Sequence, residues 1–135
     1  LAMKLELIAL VVGLHLVVSQ TTEQELTSKW PTISTCICNT TVKADQVYQW
    51  INKKTLFNNA EFKCYLRCEA QRTEVMSSTT GVVSVTGLVK AYPATTQAKA
   101  QACINLSASV TNRCQKMYDI LTCILVYPAC DDIFW

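Results

Sequence analysis

A chain of 135 residues with 12 Lys+Arg against 10 Asp+Glu and a net charge of +2 is the length of one domain. Its charge is too balanced for an electrostatic grip on nucleic-acid phosphates or an anionic membrane surface. Half of the residues are apolar and 8 are cysteine, and no tandem repeat or long linker divides the chain.

The apolar surplus gathers at the front, where Leu7 to Val18 reads LIALVVGLHLVV behind Lys4. The run is too short to cross a bilayer. It ends at the small residue Ser19, which predicts a secretory signal peptide over 1–19, starting at Met3 and cleaved after Ser19. The domain proper would then be 20–135, secreted and extracellular. His15 is the only histidine, and it leaves with the signal. Ser/His/Asp triads, Cys/His dyads and His-ligated zinc therefore lack their imidazole, and no catalytic residue, metal or cofactor is expected. All eight cysteines follow Ser19. In an oxidising compartment four disulfides are the default, since the Cys-x-x-Cys hooks that zinc favours are missing.

Thr22 and Glu25 form a capping box for a first helix that Pro31 should stop. In Ala44 to Ile51, Val47, Trp50 and Ile51 recur at i, i+3, i+4 and predict a second helix that buries Trp50. Asn58 and Asn59 cap a third, roughly Ala60 to Met76, with Phe62, Tyr65, Leu66 and Met76 on one face and Lys63, Arg67 and Glu74 on another. Ser77 to Gly87, with β-branched residues and two glycines, reads mostly as loop. Val85, Leu88, Val89 and Tyr92 predict a short fourth helix ending before Pro93, which is placed to open the next, Ala94 to Leu106. Met117, Tyr118, Leu121, Ile124 and Leu125 form the stripe of a last helix over Asn112 to Val126, before Pro128. At 100° per residue, Cys64 and Cys68 lie one turn apart on the same side of the third helix and cannot both serve one partner. Cys114 and Cys123 fall on opposite sides of the last.

Three residues separate Cys64 from Cys68, ten separate Cys103 from Cys114, and eight separate Cys114 from Cys123; the local string is Phe62-Lys63-Cys64-Tyr65-Leu66-Arg67-Cys68. With this cysteine ruler the chain resembles the insect odorant-binding proteins of the pheromone-binding and general odorant-binding type, over nearly all of the mature segment. The resemblance implies an all-α fold of about six short helices cross-linked by disulfides around an apolar ligand cavity. It also implies pairing of Cys36 or Cys38 with Cys68, Cys64 with Cys114, and Cys103 with Cys123. Two cysteines exceed the family's six: Cys130 and whichever of Cys36 and Cys38 is left. They are expected to bond to each other and pin the tail, with the preference for Cys36–Cys130, leaving Cys38 for Cys68.

The implied activity is carriage of a small apolar ligand such as an odorant, pheromone or fatty-acid-like molecule, with no bond made or broken. Expected wall residues are Trp50, Phe57, Leu66, Leu88, Val89, Tyr118, Leu121 and Leu125, with Phe134 and Trp135 as a lid and Tyr118 favoured as the hydroxyl that meets a polar ligand group. A ligand hiding about 300 Å² of apolar surface at about 25 cal/mol/Å² gains roughly 7 kcal/mol before ordering costs, so micromolar binding is the natural scale. Partners are the ligand and either a receptor or a second copy, with no nucleic acid and no stable membrane insertion. The alternative is a secreted interaction or scavenger protein of saliva, reproductive fluid or haemolymph, docking through Phe134 and Trp135. Asn39 and Asn105 match the glycosylation sequon, with Asn39 expected in a loop.

Overall fold

The structure, a computed structural model, describes residues 28–126. The expected signal peptide, the Thr22–Glu25 capping box, Cys130, and the Phe134–Trp135 lid lie outside the described residues. The chain divides into two units, residues 1–34 and 35–135. In the first, residues 28–34 are helical, and Pro31 sits inside that run rather than ending it. A proline lacks only its own N–H, so a helix can proceed on its C-terminal side.

In the second unit, helical residues 35–40 (α1) precede α2 (Ala44–Lys53), α3 (Ala60–Arg72), α4 (Val85–Ala91), α5 (Gln97–Leu106) and α6 (Arg113–Leu125). Apart from one isolated antiparallel bridge, Met76 with Val83, the described residues contain no extended pairing. The fold is all-α.

Local chemistry sets the helix ends. Asp45 in the first turn and Lys53 in the last place charges of favourable sign along α2, which closes where Lys54 turns left-handed and donates its N–H to the Trp50 carbonyl at 2.9 Å. The side chain of Asn59 caps α3 by accepting the Phe62 N–H at 2.8 Å, as Ser84, Thr96 and Asn112 cap α4, α5 and α6.

Two further boundaries differ from the sequence expectation. Helix α3 stops at Arg72, not near Met76, because Glu74 adopts φ 62° and the N–H groups of Glu74 and Val75 return to the carbonyls of Gln71 and Ala70. This is a Schellman closure with glutamate where glycine is usual, so the customary stop signal is missing from the sequence. Met76 is thereby removed from the helical stripe and paired with Val83. Helix α5 begins at Gln97 rather than Ala94, because the Thr96 hydroxyl supplies the cap and Pro93 belongs to the preceding turn. Asn39, expected in a loop, is an exposed residue in the last turn of α1.

The 77–84 segment forms a tight loop before α4, so the expected loop gives way to helix at Val85. Ser84 donates its N–H to the Val75 carbonyl at 2.8 Å and Ser77 to Val82 at 2.9 Å. The Arg113 guanidinium reaches across from the start of α6 and donates to the carbonyls of Ser78 and Thr79, both at 3.0 Å.

Helix α3 packs against α6, α6 against α5 and α5 against α4. Phe62 and Leu66 of α3, Leu88 of α4, Ala100 and Cys103 of α5, and Met117, Ile120 and Leu121 of α6 are buried between them. Each large side chain among these contributes about 1.5–3 kcal/mol of transfer free energy. Bridges Cys36–Cys68, Cys64–Cys114 and Cys103–Cys123 tie α1 to α3, α3 to α6 and α5 to α6. This corrects the expected choice at the first position: Cys36, not Cys38, takes Cys68, so Cys36 does not pair with Cys130. Two residues along a helix turn through about 200°, which buries Cys36 completely and leaves Cys38 exposed and unbridged among the described residues.

Candidate ligand-binding core

Five aromatic rings gather where α2 meets α3. Val47 and Trp50, three residues apart, are the buried positions of α2. Phe62, Tyr65 and Leu66 repeat the pattern on α3 and are almost fully enclosed. Trp50 meets Phe62 edge-on at 6.2 Å between centroids, and Phe57 meets Phe62 edge-on at 5.4 Å. Tyr92, just past α4, tilts against Trp50 at 6.3 Å. Tyr65 stacks beside Phe62 at 6.4 Å. Edge-to-face contacts of this kind place the positive rim of one ring on the negative face of another.

One acidic side chain shares that stripe. Glu69 lies one turn beyond Tyr65 and accepts the Tyr65 hydroxyl at 2.8 Å on one carboxylate oxygen and the Trp50 indole N–H at 3.4 Å on the other. Burial raises the Tyr65 phenol far above its ordinary range, and the charge of Glu69 and its hydrogen bond push the same way. Tyr92 is raised by burial first and then by the Glu69 charge. Both phenols are thus held neutral, Tyr65 as a donor to the Glu69 carboxylate.

The expected wall residues separate into distinct settings. Trp50, Leu66, Leu88 and Leu121 are fully buried. Phe57, Val89 and Tyr118 are half-buried, and the Lys63 ammonium lies 4.8 Å from the centroid of the Tyr118 ring. Leu125, the last residue of α6, is 37% exposed. Trp50 and Phe57 belong to the aromatic group; Leu66, Leu88 and Leu121 belong to the helix-packing core. Phe134 and Trp135 lie outside the described residues. Sequence reasoning did not assign Glu69 to this region, nor Phe62 to the wall. A carboxylate at the i+7 position of the Phe62–Tyr65–Leu66 stripe was the available signal.

Two surface concavities stand apart from the rings. One, of about 660 Å³, is lined by residues of the α3–α4 connection including Glu74, Met76, Ser78 and Thr80. The other, about 300 Å³, lies by Thr41, Lys43, Gln46, Asn59 and Glu61. Among the described residues no helix is long and apolar enough to cross a membrane.

Short helices stapled by three disulfides over an aromatic and aliphatic core, with the Glu69 carboxylate bonded to two of the rings, define the class as a small all-α disulfide-linked scaffold. The family model described as PBP/GOBP matches residues 18–126, and no curated protein matches the chain. The chain belongs to the PBP/GOBP family, the insect odorant-binding family. Its members are binding and carrier proteins for small hydrophobic ligands rather than enzymes.

Proposed function

We propose that this protein is a secreted carrier of small hydrophobic molecules of odorant, pheromone or fatty-acid-like character, with binding as its whole activity. The supporting observation is the cluster of rings around Phe62, walled by α2 and α3 and framed by the disulfides that tether α3 on both sides. A covalently framed core loses little further entropy when it closes on a ligand, so more of the apolar transfer free energy remains as affinity. On this reading Trp50, Phe57, Leu66, Leu88, Val89, Tyr118, Leu121 and Leu125 supply ligand contacts, and Phe134 and Trp135 close over them.

Displacement of the fluorescent probe N-phenyl-1-naphthylamine from the oxidised protein by long-chain alcohols, esters and fatty acids tests the proposal. Micromolar displacement, with a matching rise in melting temperature, is expected. Failure of the probe and of every apolar compound to bind or stabilise the protein would overturn it.

A further inference from the structure

We propose that the Trp50 ring and the Glu69 carboxylate form a recognition site for the ammonium group of a protonated amine, at a position over the Trp50 face that Lys54 fills from within the chain. The inference rests on the carrier reading and narrows its ligand class.

Three observations meet at one indole. Its N–H points at Glu69, 3.4 Å from the carboxylate oxygen. Its face carries the Lys54 ammonium, 4.9 Å from the ring centroid. Its neighbours are Phe62 at 6.2 Å and Tyr92 at 6.3 Å. Aromatic faces carry negative potential, and an aromatic surround beside a carboxylate attracts cations and discriminates against neutral isosteres. Both hydrogen-bond donors on Glu69, the Tyr65 hydroxyl and the Trp50 indole, are neutral. They satisfy lone pairs without adding positive charge, and the negative field of Glu69 reaches both Tyr65 and Tyr92.

Lys54 shows how a ligand cation would arrive. It is an exposed residue just past the end of α2, with φ 53°, and its flexible stem carries the ammonium onto a ring that is otherwise almost completely enclosed. An amine that displaces this side chain gains the same ring face without disturbing the helices. An alcohol of equal shape gains only the apolar contact.

The test uses the full oxidised chain and two probes, 2-phenylethylamine and 2-phenylethanol, titrated calorimetrically at pH 7. The amine is expected to bind about tenfold tighter than the alcohol. Glu69→Gln should bring the ratio to about one, and Lys54→Gln should raise amine affinity several-fold. Glu61→Gln, an exposed carboxylate at the other end of α3, should keep the wild-type ratio. If Glu69→Gln fails to fold, Lys54→Gln decides: amine affinity that stays level or falls overturns the site. Equal or tighter binding of the alcohol by wild type, or an equal loss of preference in Glu61→Gln, overturns the amine inference and leaves the carrier reading standing. Silence from both probes, together with no binding of N-phenyl-1-naphthylamine, removes both.

Discussion

The Arg113 side chain fills the space that a β-carbon on Gly81 would need: such a carbon would come within 2.6 Å of the arginine Nε. Gly81 also sits at φ 74°, where a side chain is strained. Arg113 cannot withdraw freely, because its guanidinium holds the Ser78 and Thr79 carbonyls. Gly81→Ala should therefore cost about 2 kcal/mol, the left-handed strain adding to the lost arginine contacts. Arg113→Ala should cost about 1 kcal/mol. The double variant should cost less than the two together, because Gly81→Ala already displaces Arg113. Urea titrations of the three variants measure this; strict additivity would argue against the steric coupling.

The exposed thiol of Cys38 makes a covalent prediction. Six of the eight cysteines are spoken for by the three bridges, and we propose that Cys38 and Cys130 join each other. A non-reducing peptide map should yield a linked Cys38–Cys130 pair, and alkylation of either thiol in the intact oxidised protein would refute it. Cys36→Ser should lower stability by about 2–5 kcal/mol, as expected for loss of a native bridge in a small domain.

At the start of α3, Asn59 performs two tasks. Its carbonyl oxygen accepts the Phe62 N–H at 2.8 Å while its amide donates to Gln46 of α2 at 3.1 Å. Asn59→Ala should cost about 1–2 kcal/mol, and Asn59→Asp, which keeps the cap and loses the donor, distinctly less. Thermal melts of the two variants separate the cap from the link to α2.

Alkali should find the tyrosines unequal. Tyr65 and Tyr92 have folded-state pKa values raised above the unfolded value near 10, by burial first and the Glu69 charge second. Below pH 10 both states keep these protons and the pair leaves stability unchanged. Above it the unfolded chain releases protons that the native state retains, so stability falls as pH rises. Of the five tyrosines, these two should stay silent in a phenolate absorbance titration until the protein unfolds. Tyr92→Phe should flatten the alkaline decline, and an unchanged slope would contradict the burial argument.

Periodicity and caps made most helices readable in advance. Trp50 falls on the buried face of α2, Asn59 caps α3, and the α6 stripe buries Met117, Leu121 and Ile124. The end of α3 was not readable, because the left-handed residue there is glutamate and carries none of glycine's signal. Nor could spacing choose between Cys36 and Cys38, since the choice depends on which face of α1 meets α3. Pattern reading favoured apolar residues for the site and so passed over Glu69, whose setting depends on Trp50 arriving from another helix.

The bridges span residues 36–68, 64–114 and 103–123, and each loop overlaps the next. A protease that nicks the backbone once, anywhere between Cys36 and Cys123, frees no fragment: every peptide bond in that stretch is bypassed by at least one sulfur link. Cleavage in the exposed segments around Thr79 or Ala108 would leave a two-piece molecule still held together, visible as smaller bands only after reduction. Durability against digestion in an enzyme-rich fluid is thus written into the order of the cysteines, whatever the cargo.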